Sequence, residues 1–357
     1  MLKKLAALLL VCASAATWTS CGKTSSNYVY AAIPAASEIV VFREDPNSGV
    51  LIALSTSPIS AGPGVQALAI HPSKKYVYAV NSGENDISQF TVSSGTLVET
   101  GSRTSVLPAT SPKLVAIDSA GTYLYVADVG SNTVSSFSIA SDGTLSQVPG
   151  SPFPVGLNPL NMAVSPSGSV LYVTGIAGSL GYVAAYSLNA GVLTASLQNS
   201  PYSTGNNPDG LAINSAGTFL YTANALDQSI SEFPINSDGS LGQATTFGSG
   251  AGLTSPQALL IDKSGKYLYV ANNSSAGTLV EFTIGSDGGL SQVSDGTFAT
   301  GSEPGVIAAD PSGSYLFVGN QATPTVQSFL LSSGSGALTS VGTYPVSGTP
   351  SSIVVLH

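Results

Sequence analysis

Charge is what this chain has least of. Only 8% of its 357 residues are charged, where an ordinary soluble domain carries about 25%. The balance is acidic, 19 Asp and Glu against 10 Lys and Arg, and two of the cations, Lys3 and Lys4, lie at the extreme N-terminus. With no basic stripe to displace counterions, nucleic acid is excluded as a partner. The chain has two cysteines, Cys12 and Cys21, so everything beyond residue 21 holds no disulfide and no thiolate metal site. The two histidines, His71 and His357, are isolated from each other and supply neither a zinc site nor a Ser-His-Asp triad. No metal and no cofactor is expected. The single tryptophan is Trp18. The longest apolar run, Leu5 to Ala16, is too short to span a membrane.

That run follows Lys3 and Lys4 and precedes small residues, which reads as a secretory signal over 1–20, with 21–27 as a linker. Thr19-Ser20-Cys21-Gly22 resembles a bacterial lipobox, although Trp18 stands where leucine is usual. The expectation is an exported protein, periplasmic or on the outer surface and anchored only through a lipid on Cys21, or otherwise secreted.

Beyond residue 28 the chain repeats itself. A Tyr-rich run begins at Tyr28, Tyr76, Tyr123, Val170, Phe219, Tyr267 and Tyr315, at steps of 47 to 49 residues. A glycine two positions before a leucine keeps the same count, at Gly49, Gly95, Gly143, Gly191, Gly239, Gly288 and Gly336. Within each unit, four runs of β-branched and aromatic residues alternate with turn residues. A period near 50 made only of strands and turns is that of a propeller blade. The first repeat lacks its inner strand, whereas Pro350 to Val355 is an inner strand with no blade after it. The reading is therefore all-β: one seven-bladed β-propeller over 28–357, of four-stranded antiparallel blades. The ring closes by pairing the C-terminal inner strand with the N-terminal blade, which leaves no open seam. A monomer is expected.

The unit Pro208-Asp209-Gly210-Leu211-Ala212-Ile213, Ser215 to Tyr221, Ser229 to Phe233 and Ser237 to Leu241 carries a resemblance. With Tyr125-Val126-Ala127-Asp128 and Tyr269-Val270-Ala271-Asn272, it resembles the YVTN-type repeats of the lactonase family, which includes 6-phosphogluconolactonase and the carboxymuconate cyclases. WD40 repeats fit poorly, because no Trp-Asp pair occurs. The resemblance implies a polar cleft at one end of the channel, where a lactone is opened or closed by His, Arg and Glu. This chain places no His and at most one Arg there, so the family's catalytic set does not carry over residue by residue.

Lactone hydrolysis needs a base to activate water and a donor or cation to hold the developing oxyanion. Blade-to-blade loops and second-to-third-strand loops share the cleft face. Asp209 and Glu303 are the candidate bases, and Lys113 and Arg103 the candidate cations. Gln66, Asn161, Asn207 and Gln257 are candidate substrate-binding residues. The far face carries His71, Arg43 and His357, the last expected to be frayed. The Ser-Asp-Gly runs at 141, 237 and 286 read as hairpin turns rather than calcium loops. Two functions stay open: an exported hydrolase of an uncharged or mildly charged lactone, and a non-catalytic surface propeller binding glycan or protein.

Overall fold

The computed structural model describes residues 26–248 and 251–357; the signal segment and Cys21 lie outside them. Seven antiparallel sheets follow in chain order. The fifth is representative, with strands Pro208–Ile213, Phe219–Asn224, Ser229–Pro234 and Thr245–Phe247 running from the axis outward. In the first blade Asn27–Ile33, Glu38–Glu44 and Leu51–Ala53 are completed by Ser352–Leu356 from the other end of the chain. That closing strand pairs Tyr28 with Leu356 and Ala32 with Ser352.

Second strands are apolar on both faces because each is sandwiched between two neighbouring blades. From the first blade, Val29 and Ala31 pack with Tyr315 and Phe317 of the seventh. Tyr30 and Ala32, pointing the other way, pack with Val77 and Phe90 of the second. Strand side chains alternate faces, so a strand buried on both sides shows no polar alternation. Each fully buried side chain of this size contributes about 1.5–3 kcal/mol.

The two sequence markers prove to be two halves of one joint. The Tyr30, Tyr78, Tyr172, Tyr221 and Tyr269 hydroxyls donate to the carbonyls of Gly95, Gly143, Gly239, Gly288 and Gly336 in the next blade, at 2.5–2.8 Å. The turn glycine also lies under the aromatic ring that opens the run. A Cβ on Gly95 would stand 2.1 Å from the Tyr28 ring, and φ there is +79°. Glycine is required twice over, for the left-handed backbone and for the close approach. Gly49 repeats the packing against Tyr315 of the last blade, so the joint runs across the closure. Phe317 replaces the hydroxyl donor there, and in the third blade the Ser136 hydroxyl bonds Gly191 O instead, at 2.6 Å.

Candidate functional site

Most inner strands begin with the same backbone device. A residue with positive φ comes first: Gly64, Ser111, Asn207, Ser255 and Glu303 in five of the blades, at +53° to +66°. A proline, or Val65 in the second blade, follows. The next residue is bulged out of the ladder: Gln66, Lys113, Leu160, Asp209, Gln257 or Gly305. A bulge bends its strand and re-aims the extra side chain. All six bulged residues line one cavity of about 620 Å³ around the axis, and Ser351 completes the ring from the lead-in to the closing strand. Below the ring the wall is apolar, with Leu68, Val115, Met162, Leu259, Ile307 and Ile353. The second-to-third-strand loops contribute Pro34, Ala35 and Gln321, on the cleft face that the topology implies.

Asp209 is the most elaborately held member. Its carboxylate accepts a hydrogen bond from Asn207 Nδ2 at 2.6 Å, and its backbone N–H donates to Asn207 O at 2.9 Å. Its backbone oxygen accepts from Asn161 Nδ2 of the preceding blade at 2.8 Å, while Asn161 Oδ1 accepts from Met162 N at 2.9 Å. Asparagine is the residue other than glycine that best tolerates left-handed φ. That conformation folds the Asn207 amide back onto its neighbour. Burial pushes the Asp209 carboxyl above the usual carboxylate range, against the pull of the Lys113 charge and the Asn207 hydrogen bond. Lys113 is exposed in the cavity and is the one cation among the described residues that line it. The ring thus couples a carboxylate with raised proton affinity to an ammonium two blades away.

Two of the four catalytic candidates lie elsewhere. Glu303 precedes its proline, where Lys113 and Asp209 follow theirs. It occupies the positive-φ lead-in, points to solvent, and is fixed only by its backbone, donating to Ser274 O and accepting from Gln321 N at 2.8 Å each. Arg103 is outside the cavity, in ion pairs with Glu99 at 2.8 Å and Glu84 at 3.0 Å, so its charge is already answered.

Of the substrate-binding candidates, all but Asn207 line the cavity, yet the Asn161 and Asn207 amides are committed to Asp209. Gln66 donates to Ser82 Oγ at 3.1 Å. The Gln257 Oε1 is buried with no partner. Gln321 was not among the sequence candidates. The signal for it is the bulged glycine, Gly305: a Cβ there would stand 2.2 Å from Gln321 Nε2, so the glutamine amide fills the place of the missing side chain.

The far face behaves differently. Asp118 and Asn214 each accept two backbone N–H bonds within their own turn, and Asp262 and Asp310 three. His71 holds the same position but reaches the next blade, Nε2 meeting Gly121 O at 2.8 Å. His357 is not frayed; its Nδ1 meets Asn27 Oδ1 at 2.5 Å. Asp142 and Asp238 cap their own hairpin turns at 3.0 and 2.9 Å. Among the described residues no group of three or more His, Cys, Asp and Glu is placed to hold a metal ion, and no helix is long and apolar enough to cross a membrane.

A closed ring of blades whose bulged residues line one cavity over an apolar channel defines a propeller with a central cavity. The chain belongs to the lactonase family of seven-bladed β-propellers, whose family model matches residues 23–156, 149–258 and 246–355. Among solved structures it is similar to a Bacteroides fragilis protein provisionally assigned as a 6-phosphogluconolactonase. That match has 20% identity, a TM-score of 0.79, and coverage of 94% of this chain and 99% of the other. It is similar also to the periplasmic gluconolactonase of Pseudomonas aeruginosa, with 22% identity, a TM-score of 0.77, and coverage of 93% and 99%. Identities this low speak to the fold. A sequence search of curated proteins finds no match.

Proposed function

We propose that this propeller hydrolyses an uncharged lactone in the central cavity, with Asp209 as general base and Lys113 as the cation that holds the oxyanion. The carrying observation is that these two side chains occupy equivalent bulged positions around one cavity, with Asp209 locked by two asparagines. In this reaction Asp209 takes a proton from water, and the hydroxide adds to the lactone carbonyl. The Lys113 ammonium offsets the charge on the carbonyl oxygen. The ring C–O bond then breaks, and the alkoxide leaving group receives the proton from Asp209. One lactone and one water become one hydroxy acid. Asp209 suits the task because burial raises its proton affinity toward working pH. A phosphorylated lactone calls for several cations, and the cavity lining offers one.

The same proposal includes export, with Cys21 as the lipid-bearing N-terminus of the mature chain. Support comes from Lys3 and Lys4 ahead of the apolar run Leu5 to Ala16, the lipobox-like Thr19-Ser20-Cys21-Gly22, and the charge-poor body. Intact mass of the protein recovered from a bacterial host tests it: a diacylated chain beginning at Cys21 agrees, and an unmodified chain overturns the lipid.

For the activity, the purified protein is assayed on neutral sugar and aliphatic lactones and on 6-phosphogluconolactone. Turnover of neutral lactones, reduced at least about 100-fold in Lys113→Met, is expected. No rate above buffer on any lactone would contradict the proposal and leave the surface-binding reading.

A further inference from the structure

We infer that Gln321 is the specificity-determining residue of the cavity, presenting an N–H donor that recognises a hydroxyl or carbonyl oxygen of a polyhydroxylated lactone. This rests on the cavity being the lactone site.

The inference begins with the vacancy in the ring. Six inner strands expose a bulged residue, and the seventh blade's is Gly305, which has no side chain to offer. Gln321, from the second-to-third-strand loop of the same blade, fills that place. Its Nε2 lies 2.2 Å from where a Gly305 Cβ would be. The Gln321 backbone is fixed at both ends, its N–H donating to Glu303 O at 2.8 Å and its oxygen accepting from Thr349 Oγ1 at 3.1 Å, and the side chain is oriented by one bond, Oε1 accepting from Asn273 Nδ2 at 3.1 Å. Asn273 occupies the amide oxygen, and the amide nitrogen is the atom nearest the empty Gly305 side-chain position. Neither of its protons has a protein partner in the structure. The Glu303 carbonyl that steadies Gln321 gives that residue a structural part to play, although its carboxylate is outside.

The other amides of the ring are mostly engaged or sealed. Asn161 and Asn207 are spent on Asp209, Gln66 donates to Ser82, and the Gln257 Oε1 is shielded from solvent. Gln321 is therefore a neutral donor open to a ligand on the side of the ring away from Lys113, with the Gln257 amide nitrogen of the sixth blade the other cavity-lining amide donor without a protein acceptor. An anionic group would be served there by Arg or Lys. A fixed carboxamide N–H suits an uncharged oxygen, which is what a sugar lactone carries in number.

The test measures binding, so it does not depend on turnover. Affinities for D-glucono-δ-lactam and for δ-valerolactam, which lacks the hydroxyls, are measured by calorimetry on wild type, Gln321→Leu and Gly305→Ala. The alanine displaces the Gln321 amide without altering Gln321 itself, and φ at Gly305 is not positive. The inference expects gluconolactam to weaken about 3- to 10-fold in both variants. Valerolactam should hold, so the preference for the hydroxylated ligand shrinks. Unchanged gluconolactam affinity in folded Gln321→Leu, or equal losses for both lactams, would overturn the inference. So would wild type failing to bind gluconolactam at millimolar concentration. Lactone turnover assayed on the same preparation separates that failure from failure of the proposed activity: hydrolysis with an unaffected preference sinks Gln321 alone.

Discussion

The two ends of the propeller use the same repeat in opposite ways. At the far end, the turn between the first and second strands carries Asp118, Asn214, Asp262 and Asp310 at matching positions, each capping its own backbone. At the cavity end, matching positions carry Gln66, Lys113, Leu160, Asp209, Gln257 and Gly305. Where most copies of a unit agree, the side chain is serving the unit. Where the backbone device is repeated but the side chain is not, the side chain serves something the units share only once. The bulge is the fold's contribution, and its occupants are the site's.

Substitutions can break that comparison, and the largest effect belongs to the cavity. Asp209→Asn should lower kcat/KM on a neutral lactone by about 10²- to 10⁴-fold, with no loss of Tm, since removing a buried carboxylate of raised proton affinity relieves the folded state. At the far end the outcome should invert. Asp262→Ala removes the acceptor of the Lys266 and Tyr267 N–H bonds, and should cost about 1–2 kcal/mol in denaturant unfolding while leaving kcat/KM unchanged.

Elsewhere in the blades carboxylates are buried without a cationic partner among the described residues. Burial raises Glu44 to about 7, with Asp310 and Asp45 adding to it and Asn27 opposing. Burial likewise raises Asp128 to about 7 against its Ser135 bonds, and Glu281 to about 7 with help from Asp262. Neither Glu44 oxygen meets a hydrogen-bond partner in good geometry. A folded value above the unfolded one means the proton favours the folded state. The stabilisation is complete below the ordinary carboxylate range and is lost as pH rises through about 7. Tm should therefore be higher in mild acid than at about pH 8. Glu44→Gln should flatten part of that slope by stabilising the protein at the alkaline end. A Tm that rises with pH across this window would refute the assignment.

The smallest effect is assigned to Arg103. Exposed ion pairs contribute about 0.2–1 kcal/mol, so Arg103→Ala should barely move Tm and should leave lactone kcat/KM within about two-fold. A large loss of activity would return it to the site.

The fold was legible because a propeller writes its own period. The Tyr run and the turn glycine recur together since one packs on the other across each blade boundary, and the unmatched strands at the two ends announce their pairing. The cavity was half legible. Lys113 and Asp209 stand out as two of the chain's rare charges, and both line the cavity. Glu303 also adjoins an inner-strand proline, but it precedes it, and the bulge places only the following residue at the cavity. Arg103 lies in a loop, as its sequence position implies, but that position carries no sign of the Glu84 and Glu99 carboxylates that pair with it outside the cavity. Gln321 was invisible for a different reason. Its position depends on a side chain that Gly305 does not have, and a contact made by an absence leaves little mark on a sequence.

The central claim is that Asp209 acts as a base whose strength is set by burial, Lys113 and Asn207. The most direct measurement is the pH dependence of kcat/KM on a neutral lactone for wild type, Asn207→Gly and Asp209→Asn. Glycine keeps the left-handed φ while deleting the carboxamide. The account predicts an acid limb with its midpoint above the usual carboxylate range in wild type, displaced further upward in Asn207→Gly, and a residual, pH-flat rate in Asp209→Asn. An acid limb that survives in Asp209→Asn at the wild-type rate would contradict it.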